Sequence, residues 1–529
     1  MGPVLTLGLC GALLTTLFIF GERILSVALQ VLIYLAGCVQ LRGKTGEFLE
    51  DRSTQNWKLS IARAERLARE WKQLSLSSNS PKTPKIYWFH VASAGELEQA
   101  IPIARSLALD AGPSNCFFIV SYTSPSTKPF LKNFPNQDQL LSFALHPFSR
   151  SRIMAIMQAL RPNGLFFIRY DLWPSLIFTA RSIQVPLFLI GATRTLVRGG
   201  AIAAPSAKVK TLMLRNFKQI FALTQDDAKF YGTFLNENQI TVAGEPKWAR
   251  AKERANSKIP EDSPVFALRK LTNTLRLVQQ TPVIVFGSPH KDEWTVLQRL
   301  LADPGLSKGF TIIAAPHDVG PAEISRLRAQ LSIPGVRVFR LSQAKAYAQQ
   351  GQSLDSSSGT THAAASPVLG RLPESYNLSN NHNQEPFHPI ANQERIVWLV
   401  DMMGYLAEVY GTADLAVVGG GFDGGLHNCL EPAAQGIPVL FGANHSRAPE
   451  AKVLLEADAA RCFATVDEMF QFLKHCASVH GTDVLSKSPA KGATLPQMAL
   501  NSAKLFESIP KTNQIIQAYL KSSNDNEGN

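Results

Sequence analysis

Cysteine chemistry is nearly absent from this chain. Six cysteines occur in 529 residues (Cys10, Cys38, Cys116, Cys429, Cys462 and Cys476), with no C-x-x-C pair and no His/Cys cluster at zinc spacing. That excludes a disulfide-stapled fold and a structural zinc module, and fits reduced thiols in a protein facing the cytoplasm. No Asp-x-Asp pair occurs either, so no essential metal is expected at a bound phosphate. The net charge of +12 is spread along the chain rather than gathered in one block. No aromatic-basic interleaving accompanies it, so nucleic acid is not expected as a partner. An anionic membrane or a phosphate-bearing substrate suits the charge, and so does a plain basic surface.

Charge is missing altogether from two runs near the start, residues 3–20 and 24–41, separated by Gly21-Glu22-Arg23. Each is near the lower limit of about 17 to 25 residues for a membrane span. A signal peptide fits less well, because no basic segment precedes the first run. Residues 1–44 are therefore expected to form a membrane anchor, crossing once or twice. Arg42 and Lys44 then place the main body on the cytoplasmic side. Residues 45–84 read as an amphipathic helix with Ile61, Leu67 and Trp71 at helical spacing, then a linker. That helix lies either on the membrane or on the first domain.

From residue 85 onward the chain is too long for one core and alternates strand with helix, so the fold class expected is α/β with parallel sheets. Strands at "KIYWFHVA", "CFFIVSYT", "GLFFIRY", "VPLFLIGAT", "QIFALT" and "QITVAGE" make a first Rossmann-like domain over 85–250. A second alternation, from "PVIVFGS" through "GFTIIAAP", "VRVFRL", "RIVWLVD", "ADLAVVGG" and "IPVLFG", makes another over 251–520. Residues 343–393 are poor in aliphatic side chains and rich in Ser, Asn and Pro, and read as a disordered insertion. Ligands of such sheets sit beyond the carboxyl ends of the strands, so two facing domains would offer a two-substrate cleft.

Five strand-end motifs carry the candidate chemistry. In "FHVASAGELEQA", Glu96 opens a helix after a small-residue turn; it is either a first-turn carboxylate favoured by the helix dipole or a general base. In "IRYDLWPSLI", Asp171 is either a helix N-cap or an acid at a site. Lys247 in "VAGEPKWAR" is either a solvated charge or a ligand for phosphate or carboxylate at the domain junction. Ser288 in "VFGSPHKDEW" sits in a turn able to bind an anion, or in a simple turn with a partly buried His290. Asp401 ends a strand before Met402-Met403-Gly404.

The stretch "LAVVGGGFDGGLHNCLEPAAQGIPVL" satisfies Gly-x-Gly-x-x-Gly at Gly419, Gly421 and Gly424. A dinucleotide site needs an acid about 20 residues later, at the next strand's end. Here the acid is Glu431, far too early, and Pro432 suits a helix start. Asn428 and Glu431, three apart, can face one ligand, with the acid on ribose hydroxyls and the glycines admitting a phosphate. This reads as a sugar-nucleotide site.

In their order these blocks resemble the 3-deoxy-D-manno-octulosonic acid (Kdo) transferases of lipopolysaccharide synthesis, glycosyltransferases of the GT-B architecture. The likeness runs from about residue 30 to 470. "HVASAGE" is similar to His-x-x-Ser-x-Gly-Glu, "DLWPSLI" to Glu-Leu-Trp-Pro-Asn, and "GEPKW" to Gly-Asn-x-Lys-Phe. "GSPHKDE" is similar to Gly-Ser-Thr-His-x-x-Glu, and "VDMMGYL" to Asp-Thr-Met-Gly-Glu-Leu. "GGLHNCLEP", the most specific, resembles Gly-Gly-His-Asn-Pro-Leu-Glu-Pro. The resemblance implies Glu96 as catalytic base, with Asp171 and Lys247 also catalytic. It implies CMP binding by Ser288, Pro316, His317, Met403, Gly404, Tyr405, Asn428, Cys429, Leu430 and Glu431. It implies transfer of Kdo from CMP-Kdo to a lipid A precursor, with inversion, no cofactor, at the inner membrane. Departures are Arg169 where the family has a glutamate, Tyr405 for a second glutamate, Ala249 for an aspartate, and no arginine beside Pro316. A GT-B transferase using another nucleotide sugar, and a membrane-anchored inactive scaffold, stay open as alternatives.

Overall fold

The computed structural model describes residues 51–77, 84–145, 150–169, 171–194, 204–279, 282–303, 311–355, 395–446, 448–478, 494–509 and 511–527. The apolar runs expected as an anchor lie outside them. Among the described residues no helix is long and apolar enough to cross a membrane. The chain divides into two compact units. One comprises the residues up to Arg250 with those from Ile509 onward, and the other is Ala251–Ser508.

The first unit is built on a seven-stranded sheet. Its strands are β1 (Lys85–Val91), β2 (Cys116–Tyr122), β3 (Leu140–Ala144), β4 (Gly164–Ile168), β5 (Leu187–Ala192), β6 (Gln219–Ala222) and β7 (Ile240–Val242), in the order β3-β2-β1-β4-β5-β6-β7. All pairings are parallel. Central strands buried on both faces must be apolar throughout, and all seven residues of β2 and all five of β4 are buried. On one face Phe89, Phe118, Phe134, Phe166 and Phe188 pack ring to ring. On the other, Trp57, Ala64 and Leu67 of the helix Thr54–Ser77 enter the core with the helix Arg150–Leu160. Of the two expectations for this helix, packing on the first domain is the one observed.

One boundary differs from the expected 251–520. The last helix, Thr512–Glu527, returns to the first unit. Ile516 is fully buried in that unit's core, Tyr519 packs on Phe188 and Phe221, and Thr512 Oγ1 donates to the Ala243 carbonyl at 2.7 Å. Chain order gives no hint of this, because the apolar stripe of a helix does not say which core it covers.

The second unit repeats the plan with β8 (Val283–Gly287), β9 (Thr311–Ala315), β10 (Val336–Arg340), β11 (Arg395–Leu399), β12 (Leu415–Val418), β13 (Val439–Gly442) and β14 (Ala460–Phe463). Their order is β10-β11-β9-β8-β12-β13-β14, again parallel. The insertion expected at 343–393 starts later than composition suggests. A helix spans Ala344–Asp355, anchored by buried Ala344 and by Tyr347, whose ring meets Phe339 and Trp398. Two well-placed side chains suffice to bind a polar helix; residues 356–394 lie outside the described set.

Strand order reverses direction between β1 and β4 in the first sheet and between β8 and β12 in the second. Such switch points leave a crevice at the carboxyl ends of the strands, where ligands of open α/β sheets bind. The candidate residues gather at both.

Candidate active site

At the first switch point the last residue but one of β1 is His90, a fully buried polar side chain. Its Nε2 lies 3.1 Å from Asp171 Oδ2 and its Nδ1 lies 2.9 Å from Ser121 Oγ. Trp88 Nε1 donates to the same Ser121 Oγ at 2.8 Å. Since the indole can only donate and an ionised Asp171 only accept, one proton arrangement satisfies every group: Trp88 to Ser121, Ser121 to His90, and His90 Nε2–H to Asp171. Thr123 Oγ1 donates to Asp171 as well. Burial opposes ionisation of Asp171, but the hydrogen bonds from His90, Thr123 and Trp173 hold its pKa below the usual range. Asp171 is not a helix N-cap; Trp173 occupies that position before Pro174.

Beyond β1, the turn Ala92-Ser93 leads into the helix Ala94–Ala111 with Glu96 in its first turn. The Glu96 carboxylate accepts the Ala92 N–H at 2.5 Å and is only 9% exposed. Burial raises its pKa to about 7, opposed by the Ala92 N–H and by Arg169, and reinforced by the Asp171 charge. Two neighbouring carboxyls are thus pushed apart, one ionised and one titrating near neutrality. That is the pattern of groups tuned for proton transfer.

Arg169 follows β4 in the left-handed region, with φ of 62°. Its Nε donates to Gln99 Oε1 at 2.9 Å and its terminal nitrogen pairs with Glu245. Both side chains are largely buried, 11% and 7% exposed. The Arg169 guanidinium is thus paired with a buried acid, Glu245. Lys247 is the second residue of the helix Pro246–Asn256, half-buried, its backbone N–H 3.4 Å from Glu245 Oε1. Glu98 and Arg250 close the group at 2.6 Å.

In the second unit the loops after β8, β9 and β12 bring together Ser288, His290, Pro316, His317, Asp423 and His427. Ser288 is buried with φ of 48° and its N–H donates to Ala315. Pro316 is buried and His317 exposed, its ring 5.1 Å from that of His427. His290 Nε2 lies 2.9 Å from His427 Nε2, and its Nδ1 2.5 Å from Asp423 Oδ2. Desolvation, then the neighbouring His290 and His317, lower the His427 pKa to about 4. Fully buried Glu293 accepts the His290 N–H at 3.0 Å.

Two glycines of the fingerprint stretch are required by backbone packing. A Cβ on Gly419 would stand 1.9 Å from the Ser288 carbonyl oxygen, and one on Gly421 2.4 Å from the Gly442 backbone nitrogen. They let three strand-end loops pack backbone to backbone. The expected helix start at Glu431 is short, Leu430–Ala434, with Cys429 as N-cap. The side chains of Cys429 and Leu430 are fully buried. Asn428 is exposed and its Oδ1 accepts the Leu430 N–H at 3.1 Å. Glu431 pairs with Arg254 at 3.1 Å, and Arg254 also holds both oxygens of Glu408 at 2.9 Å and the Gly404 carbonyl at 3.3 Å. Met402, Gly404, Tyr405 and Glu408 line a cavity of about 530 Å³ with Lys258 and Lys345, while Met403 is 65% exposed.

Four contributors escaped the sequence reading as site members: His90, Glu245, Arg254 and Asp423. His90 had a usable signal, a polar side chain at the end of an otherwise apolar strand. The others are brought in by partners 76 to 177 positions away.

Residues 63–250 match the family model for 3-deoxy-D-manno-octulosonic-acid transferase (kdotransferase). The chain is 25% identical over 394 residues to the 3-deoxy-D-manno-octulosonic acid transferase of Chlamydophila psittaci, covering 72% of this chain and 75% of that one. It is 23% identical to that of Aquifex aeolicus over 379 residues, covering 70% and 80%. Among solved structures, UDP-GlcNAc 2-epimerase from Neisseria meningitidis aligns over 82% of this chain and 100% of that one at 12% identity, with a TM-score of 0.46. These likenesses are to enzymes of the glycosyltransferase class. Within that class the chain resembles the Kdo transferases over most of its length.

Proposed function

We propose that the protein transfers Kdo from CMP-Kdo to a hydroxyl of a lipid A precursor, with inversion, and that Glu96 is the base. The observation that carries this is the Glu96 carboxyl buried in the turn after β1, where burial raises its pKa to about 7, near an Asp171 held by His90 and Thr123. Glu96 accepts the proton of the acceptor hydroxyl as that oxygen bonds to the anomeric carbon and the bond to CMP breaks. Asp171, fixed by His90 and Thr123, offers a stationary negative charge to a positively charged sugar ring in the transition state. Lys247 supplies a cation for the donor's carboxylate or phosphate.

The two units serve as acceptor and donor halves of a GT-B enzyme in this reading. The nucleotide goes to the second unit, whose strand-end loops carry Ser288, Pro316, His317 and Asn428. Glu431, oriented by Arg254, faces the ribose, and Met403, Gly404 and Tyr405 border the adjoining cavity. Cys429 and Leu430, with buried side chains, contribute through the backbone. A lipid acceptor suits the uncharged runs at 3–20 and 24–41, which we assign to an inner-membrane anchor with the catalytic units on the cytoplasmic face.

Incubation with CMP-Kdo and a tetraacyl lipid A precursor, then mass spectrometry, tests the reading. The expected product is heavier by one or more Kdo units, and absent with Glu96→Gln. Transfer from a UDP-sugar but not from CMP-Kdo would refute the donor assignment, and full activity of Glu96→Gln would refute the mechanism.

A further inference from the structure

The histidine group of the second unit has an internal order that a simple ligand set does not need. Asp423 accepts from His290 Nδ1 at 2.5 Å, which fixes a proton on that nitrogen. The opposite nitrogen, His290 Nε2, meets His427 Nε2 at 2.9 Å, so one proton is shared between two rings. His427 Nδ1 takes no part in either bond. Neither Asp423 nor this ring-to-ring bond belongs to the block pattern "GGLHNCLEP" that relates the chain to its family.

Two proton arrangements are open to this array. When the pair is neutral, His427 Nε2–H donates to His290 Nε2 and His427 Nδ1 is a bare acceptor. When one proton is added at His427 Nδ1, the Nε2 proton crosses to His290. The positive charge then rests on His290 against the Asp423 carboxylate, and His427 is a neutral ring with an Nδ1–H donor. The groups facing His427 favour this placement: His290 and His317 disfavour charge on it, Asp423 sits behind His290, and Glu293 meets the His290 backbone. A phosphate monoester, whose second pKa is about 6, is the anion such a donor matches.

We propose that Asp423, His290 and His427 form a proton relay that presents an N–H at His427 Nδ1 to the phosphate of the departing nucleoside monophosphate. The proposal rests on the reading of CMP as leaving group. As the bond between anomeric carbon and phosphate oxygen breaks, the electron pair stays on that oxygen, which accepts the Nδ1 proton. The shared proton returns from His290 to His427 Nε2, and the array is neutral again. Asp423 touches no reacting atom and is a positioning residue.

Calorimetric titration of the full chain with CMP, in buffers of differing ionisation enthalpy from pH 6 to 8, reads the proton directly. Wild type is expected to take up a fraction of a proton per CMP near pH 7.5 and to bind more weakly as pH rises. Asp423→Asn and His427→Gln should lose the uptake and weaken CMP binding at pH 6.5 by roughly tenfold, the value of a hydrogen bond to a charged group. CMP binding without proton uptake, or uptake unchanged in Asp423→Asn, overturns the relay and leaves the donor reading standing. Binding of UMP but not CMP, with uptake lost in Asp423→Asn, overturns the donor reading and supports the relay. Binding of neither nucleotide overturns both.

Discussion

Replacing Glu96 by glutamine separates catalysis from stability in one experiment. Glutamine keeps the shape and an oxygen to accept the Ala92 N–H, so only the ionisable proton is lost. The folded-state pKa is raised from 4.5 to about 7, chiefly by burial. The folded protein therefore holds this proton more tightly than the unfolded chain does. Wild type is most stable with respect to this group below pH 4.5 and loses stability as pH rises through 7. At about 1.4 kcal/mol per pKa unit, that loss amounts to about 3 kcal/mol by pH 8. Glu96→Gln escapes it. Thermal unfolding monitored across pH should show the variant melting above wild type at pH 8 and together with it at pH 4.5. Initial rates of Kdo transfer should fall by about 10² to 10⁴, the usual value of a positioned base. A stability difference that is the same at both pH values would refute the claim that Glu96 is held in a site costly to charge. A gain in stability with no loss of activity would keep the electrostatics and remove the catalytic role.

Other substitutions probe the neighbours. Asp171→Asn removes a negative charge that raises the Glu96 pKa, so the acidic limb of its residual pH–rate profile should move below that of wild type. Arg169→Met removes a cation that lowers the same pKa and should move the limb upward; shifts in the same direction would refute the assignment. Arg254→Ala leaves Glu408 and Glu431 without their shared cation and should weaken CMP binding by tenfold or more while leaving Glu96-dependent pH behaviour unchanged, as calorimetry and pH profiles would show. Gly419→Ala sets a methyl against the Ser288 carbonyl, 1.9 Å from the new carbon, and should lower the thermal midpoint measurably; an unchanged midpoint would show that the loops yield.

The parts legible in the sequence were those carried by short-range pattern. Uninterrupted apolar strands alternating with helices specify parallel sheets, because only strands covered on both faces read that way. Glu96, Asp171 and Ser288 sit where strands end, and strand ends are visible in one dimension. Meaning was harder to read than position. The Gly419–Gly424 spacing suggested room for a phosphate, and the backbone contacts of Gly419 and Gly421 show that loop packing by itself demands glycine there. Arg169 stood alone in the sequence, and the structure pairs it with Glu245, 76 positions away.

Taken alone, the sequence determined the fold class, the two strand-rich halves and the family blocks, since periodicity and local motifs are properties of neighbouring residues. The tertiary structure decided the pairings. It tied His90 to Asp171, Arg254 to Glu431 and His290 to both Asp423 and His427, and returned the last helix to the first core. The physical reason is that a pKa, a tautomer or a buried ion pair depends on what lies within a few ångströms in space, and those partners stand from 81 to 177 positions apart in the chain.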